Sequence, residues 1–142
     1  RFTQNGDQIS MKRSYQREVI LEYLKTRTDH PTADKVYAAV RETIPNISLG
    51  TVYRNLSQLS DNGMILRITC DTKEDHFDAN IHPHPHLFCR ECGGVSDIPV
   101  TFMPDLTQIV APSFHGSIQE CSITYYGICD ACLQKLPQTR NA

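Results

Sequence analysis

The sequence predicts an α+β protein in two parts: a helical first half closed by a β-hairpin, then short strands built around cysteine pairs. Three observations predict it. Apolar residues recur at helical spacing in three successive segments before Asn62, and strand-like runs follow. Charge divides the same way. Up to Cys70 there are ten Lys and Arg against seven Asp and Glu, and from Asp71 onward four against nine. Four of the six cysteines form two identical pairs, Cys89-Arg90-Glu91-Cys92 and Cys129-Asp130-Ala131-Cys132. A basic half joined to an acidic, Cys- and His-rich half suggests one surface for a polyanion and one site for cations.

The 142 residues suffice for one domain or two small ones. Apolar content of 39% with 21% charged residues fits a folded globular chain and excludes a disordered one. No apolar run approaches the ~20 residues that a membrane helix needs. No signal-peptide pattern opens the chain, so a cytoplasmic location with no membrane partner is expected.

From Ser14 to Thr26 the residues Tyr15, Val19, Ile20, Tyr23 and Leu24 form one helical face, with Ser14 as N-cap. Arg27 to Pro31 is a polar break. Thr32 caps a second helix with Val36, Tyr37 and Val40 inward, ending before Pro45. Ser48 caps a third with Val52, Leu56 and Leu59 inward, ending at Asn62-Gly63. Met64 to Thr69 and His76 to Asp78 then read as a two-stranded wing around a polar tip, Asp71 to Asp75. This order is that of a winged helix-turn-helix; a generic small helical core is the competing reading.

In the second half, Leu87 to Cys89 and Val95 to Ile98 read as short strands around the first cysteine pair. Pro104 to Val110 carries a weak helical pattern. Ser117 to Ile128 alternates and is rich in β-branched and aromatic residues, so it reads as a strand. Ala131 to Leu136 reads as a short terminal helix.

Without a signal peptide, paired CxxC motifs favour a metal over disulfides. Cys89, Cys92, Cys129 and Cys132 suit tetrahedral Zn2+, and Gly93-Gly94 permits the tight turn of a knuckle. The 36 residues between Cys92 and Cys129 exceed the gap of a compact zinc ribbon, so the site would staple the terminal helix onto a sheet. Redox-active thiol pairs are the competing reading. Cys70 and Cys121 read as buried small hydrophobes.

His82-Pro83-His84-Pro85-His86 places alternate imidazoles on one side of an extended segment. With Asp78, Asp97 and His30 they compose a nitrogen and oxygen donor set that suits Fe, Mn, Zn or Ni better than Ca or Mg. Isolated surface or core histidines are the alternative. On the third helix, Thr51, Tyr53, Arg54 and Asn55 are read as facing outward, with Lys12, Arg13 and Arg17 around the first helix. Arg pairs with guanine and Asn with adenine, so these suit duplex DNA; a solvated helix face is the plain alternative.

These residues together resemble the Fur family of metal-dependent bacterial transcription regulators. The carriers are Ser14-Tyr15-Gln16-Arg17, His30-Pro31-Thr32-Ala33-Asp34, Thr51 to Leu56, His84 to Gly93 and Tyr126 to Cys132, in order and with family-like spacing. The resemblance implies an N-terminal winged-helix DNA-binding domain (1–72), a hinge (73–82) and a C-terminal α/β dimerisation domain (83–142). It implies structural Zn2+ on Cys89, Cys92, Cys129 and Cys132, and a regulatory Fe2+ or Mn2+ site on His30, Asp78, His84, His86 and Asp97. The DNA-facing set becomes Lys12, Arg13, Tyr15, Arg17, Ser48, Thr51, Tyr53, Arg54 and Asn55, on double-stranded operator DNA bound by a homodimer.

Asp at both 78 and 97, and Pro at 83 and 85, resemble the peroxide-responsive (PerR) branch; iron sensors tend to carry Glu at the first two positions and extra ligands at the others. In that branch hydrogen peroxide is the signal, the iron form oxidises a site histidine (His30 or His84), and the manganese form is insensitive. The protein is consumed by such a reaction, so it is not an enzyme. A reversible iron- or zinc-uptake repressor of the same family is the nearest alternative; a zinc hydrolase or thiol oxidoreductase is distant, since no HExxH is present. Departures from the family pattern are Tyr15 in place of Pro, Gly50 in place of Ala, and the stretch Ala79 to Pro83, whose His82 is a competing ligand.

Overall fold

The computed structural model describes residues 14–71 and 73–137. Lys12 and Arg13 lie outside the described residues. Contacts divide the chain into two compact units. Among the described residues, the first comprises 14–27, 31–68 and 75–81; the second comprises 28–30, 69–71, 73–74 and 82–137.

The first unit contains α1 (Tyr15–Lys25), α2 (Ala33–Val40) and α3 (Leu49–Asp61), then all but the last residue of β1 (Leu66–Thr69), which pairs with β2 (Asp75–Asp78). Its core is the set of inward stripes read from the spacing: Ile20 and Leu24 from α1, Val36 and Val40 from α2, and Val52, Leu56 and Leu59 from α3. Ile65 and Phe77 close it from the wing. Ser14, Thr32 and Ser48 all occupy N-cap positions, but only the Ser48 side chain makes a capping bond, accepting from the Thr51 N–H at 3.1 Å.

The C-terminus of α3 ends as Asn62-Gly63 predicts. Gly63 sits at φ +69°, in the region glycine enters without a Cβ penalty. Its N–H bonds the Ser60 carbonyl at 3.0 Å, and that of Met64 bonds the Leu59 carbonyl at 2.9 Å. These two bonds satisfy the last carbonyls of the helix and turn the chain into β1. The first unit runs past residue 72 because β2 pairs with β1 and buries Phe77 among the helices.

Leu56 is fully buried at the centre of this core. Leu56→Ala is expected to cost about 2–5 kcal/mol through lost contact and a residual cavity. Chemical denaturation followed by helical circular dichroism checks it; a change under about 0.5 kcal/mol would place Leu56 outside the core.

The second unit is a three-stranded sheet of order β4-β3-β5, with β3 (His86–Cys89) at the centre. β4 (Val95–Asp97) runs antiparallel to β3, pairing His86 with Asp97 and Phe88 with Val95. β5 (Thr124–Gly127) runs parallel to β3, pairing His86 with Thr124 and Cys89 with Gly127. A parallel pair needs a crossover, which carries α4 (Leu106–Val110) and a 3-10 turn at Ala111–Ser113. α5 (Asp130–Lys135) follows β5.

Two expectations are corrected here. The strand expected over Ser117 to Ile128 is reduced to Thr124–Gly127, because the β3 edge it pairs with is only four residues long. Cys121 lies ahead of that paired stretch and is exposed instead of buried; Cys70 is buried as expected. Many apolar side chains of this unit are uncovered, among them Phe102, Ile109, Phe114, Tyr125 and Leu133.

Candidate metal centres and nucleic-acid surface

The four paired cysteines come together in the second unit. One donor atom from each of Cys89, Cys92, Cys129 and Cys132 lies within 4.8 Å of the others, and all four are free thiols. Topology explains the meeting. β3 ends at Cys89 beside Gly127, so the segment after β5 delivers Cys129 to the first knuckle. The knuckle is closed by the Gly93 N–H on the Cys89 carbonyl at 2.8 Å, with Gly93 at φ +71°.

Backbone N–H groups point at the sulfurs: Cys129 N–H to Cys89 Sγ at 3.3 Å, and Gly94 N–H to Cys92 Sγ at 3.4 Å. The Cys129 N–H, followed by that of Cys92, lowers the Cys89 thiol to about 6. Cys132 is pushed up to about 12, first by its hydrogen bond with the Cys129 thiol and then by burial. Crowded sulfurs resist a second negative charge, which a dication relieves.

The Cys92 to Cys129 sulfur separation is 4.0 Å. A tetrahedron with Zn–S bonds of about 2.3 Å has edges of about 3.8 Å. The four-cysteine set therefore suits structural zinc. Zinc uptake at neutral pH is expected to release a proton from Cys132, and acid is expected to expel zinc only well below the free Cys89 value of about 6, because bound metal holds the thiolates against protonation.

The second cluster is built on the other end of β3. His86 and Asp97 are cross-strand partners, and His84 stands two residues before His86 on the same face. His30 belongs to the same unit. Its Nε2 lies 2.7 Å from Asp97 Oδ1; those of His84 and His86 lie 2.8 and 3.4 Å from the same oxygen. The rings of His30 and His84 approach that of His86 with centroids 5.1 and 4.3 Å away. Three nitrogens on one carboxylate oxygen at these distances trace the edges of a coordination shell with bonds of about 2.1 Å. Imidazole and carboxylate suit Fe or Mn.

His30 is buried and sits at φ +48°, the only non-glycine with positive φ among the described residues. Such backbone strain costs about 1–3 kcal/mol and persists where its surroundings enforce it. Here it accompanies the imidazole that the loop after α1 contributes. Asp78 ends β2 in the first unit, buried, with Oδ1 accepting the Asn80 N–H at 2.8 Å. The His82 side chain is exposed and lies outside the cluster.

On α3, Tyr53 and Arg54 are exposed and Thr51 is half-buried, its hydroxyl 2.8 Å from that of Ser48. Tyr15 is exposed at the start of α1. Asn55 is a correction. Expected to face outward, it is buried, and its side-chain nitrogen donates to the Thr51 carbonyl at 2.9 Å. Position 55 lies between the buried Val52, Leu56 and Leu59, so the helical turn carries it inward.

Arg17 is half-buried and donates to Gln58 Oε1, tying α1 to α3. Sequence reading passed over Gln58, and also Arg67, which donates to Ser57 Oγ at 2.9 Å and ties the wing to α3. Such long-range side-chain pairs leave no periodic signal.

The profile of the ferric uptake regulator family matches residues 8–126. The peroxide-responsive repressor PerR of Staphylococcus aureus (strain USA300) is 31% identical over 128 residues, covering 90% of this chain and 86% of its own. The Campylobacter jejuni peroxide stress regulator superposes with a TM-score of 0.72 at 28% identity, over 82% of this chain and 88% of its own. The ferric uptake regulator of Vibrio cholerae superposes at 0.68 with 28% identity, over 84% and 93%. With the two clusters and the helical unit read alongside that match, this chain belongs to the ferric uptake regulator family.

Proposed function

We propose that this protein is a DNA-binding transcriptional repressor that holds operator DNA when its regulatory site carries metal, and that hydrogen peroxide ends the repression by oxidising a site histidine. The observation that carries the metal dependence is the convergence of His30, His84 and His86 on Asp97 Oδ1. The likeness to a peroxide-responsive repressor over 90% of the chain supports the choice of signal.

His30, His84, His86 and Asp97 would hold Fe2+ or Mn2+, with Asp78 as the fifth ligand that the family resemblance implies. Bound ferrous iron supplies the means to turn peroxide into an oxidant of an adjacent histidine, which manganese does not. Burial of His30 and His86 keeps bulk water from competing for the donor atoms. The carboxylate of Asp97 balances cation charge among otherwise neutral imidazoles. Metal shifts the population toward the DNA-binding state only by as much as it binds that state better.

The exposed Tyr53 and Arg54 on α3, with Thr51, Ser48, Tyr15 and Arg17 around them, are the DNA-facing residues among those described. Arg17 is positioned by Gln58 to act through α3 as well as toward phosphate. The uncovered apolar side chains of the second unit support a homodimer. Operator affinity is expected to fall steeply with salt, and Arg54→Ala to weaken it by about 1–3 kcal/mol if the guanidinium reads a base. Titration of labelled operator DNA at two salt concentrations checks both, and a salt-independent affinity would refute phosphate contact.

The deciding experiment is peptide mass spectrometry before and after a small dose of hydrogen peroxide, on the iron and manganese forms. The expected result is a gain of about 16 Da on the peptide holding His30 or His84, in the iron form alone. Unmodified histidines with retained metal and DNA binding would instead establish a reversible iron- or zinc-uptake repressor.

A further inference from the structure

The regulatory cluster includes a feature that the ligand set does not use. His84 Nδ1 lies in hydrogen-bond contact with the main-chain carbonyl of His82, while its Nε2 faces Asp97 Oδ1 at 2.8 Å. A carbonyl can only accept, so the proton of this bond sits on Nδ1. Nε2 is then the nitrogen left to bind a cation. The carbonyl is delivered by the run His82-Pro83-His84-Pro85-His86. Each proline fixes its own φ near −65° and drives the residue before it into extended backbone. His82 and His84 both precede a proline, so the whole arm has few alternative conformations. Pro85 is buried, and its carbonyl accepts the Ile98 N–H at 3.0 Å, which fastens the arm to the chain just after β4.

We propose that this arm is a positioning device: Pro83 and Pro85 hold the His82 carbonyl on His84 Nδ1, so that Nε2 is turned toward the cation site before a metal enters. His82 acts through its main chain, and its exposed imidazole is not a ligand. The device rests on the metal-site reading above, and it adds what presets one ligand. Fixing a ligand ring through its second nitrogen is worth about 10–100-fold in metal affinity. Preset backbone lowers the ordering cost that binding must otherwise overcome.

The test uses the full chain with its cysteine zinc in place, titrated with Mn(II). His82→Ala, which keeps the carbonyl, is expected to stay within about twofold of wild type. The double variant Pro83→Ala/Pro85→Ala is expected to bind Mn(II) about tenfold more weakly, with zinc content and circular dichroism retained. Should the double variant fail to fold, Pro83→Ala alone carries the comparison. In the diamagnetic form with Zn(II) also in the regulatory site, the His84 Nδ1 proton is expected to be visible by NMR in wild type. In the proline variant it should be lost to solvent exchange. Loss of affinity in His82→Ala would make its side chain a ligand and overturn the proposal. Unchanged affinity and an unchanged Nδ1 proton in the proline variant would overturn it too. A wild-type chain that takes up no Mn(II) would sink the metal-site reading itself, a different failure.

Discussion

Cys89→Ser is expected to lose the zinc and, with it, the folded second unit. Cys89 is buried at the end of β3, and its sulfur accepts the Cys129 N–H. α5, which carries Cys132, has six residues and buries none of them. A helix that short is not stable by itself, so the sulfur-held metal is what anchors it. Structural zinc contributes about 10–16 kcal/mol of apparent binding free energy, comparable with the whole stability of a domain at about 5–15 kcal/mol. The first unit, whose core draws on none of these cysteines, is expected to keep its helices. Zinc analysis with a zinc-reporting dye, sedimentation and circular dichroism read the three consequences. A folded, zinc-free dimer of the variant would show that the sheet stands without metal.

Asp97→Ala is expected to abolish regulatory metal binding while leaving the cysteine zinc untouched. Asp97 Oδ1 is the one oxygen on which three imidazole nitrogens converge. Removing it leaves three neutral rings without a counter-charge and with one donor fewer. Outer-sphere changes alone cost about 10–100-fold in affinity, so loss of the carboxylate proposed as a direct ligand is expected to exceed about 100-fold for Mn(II). Operator binding should then no longer respond to added manganese. Asp97→Asn keeps the shape without the charge and is expected to fall between the two. Mn(II) titration followed by operator binding measures both variants. Undiminished manganese-dependent DNA binding in Asp97→Ala would remove this carboxylate from the site.

The two halves of the molecule were legible in the sequence to different depths. The helices of the first unit follow from spacing because a helix buries one stripe, and the residues that repeat at three and four are those that fill the core. Ser48 and Asn62-Gly63 mark the ends of α3 for equally local reasons, since a side-chain oxygen caps one end and a left-handed glycine the other. The two CxxC pairs were legible because tetrahedral thiolate chemistry needs both pairs on one ion, whatever chain lies between them.

Tertiary structure decided the rest. The run from Ser117 alternates like a strand, but hydrogen bonds need a partner edge, and the short β3 offers it only four places. Asn55 carries a polar side chain on α3, yet its helical angle turns it inward, where its amide finds the Thr51 carbonyl. The strained backbone of His30 and the bond between His84 and the His82 carbonyl have no periodic signature either. The donor types were written in the sequence, because which elements can bind a metal is a property of side chains. Which nitrogen of each ring meets Asp97, and in what register, was set by strand pairing and loop geometry, which join residues as far apart as 30 and 97.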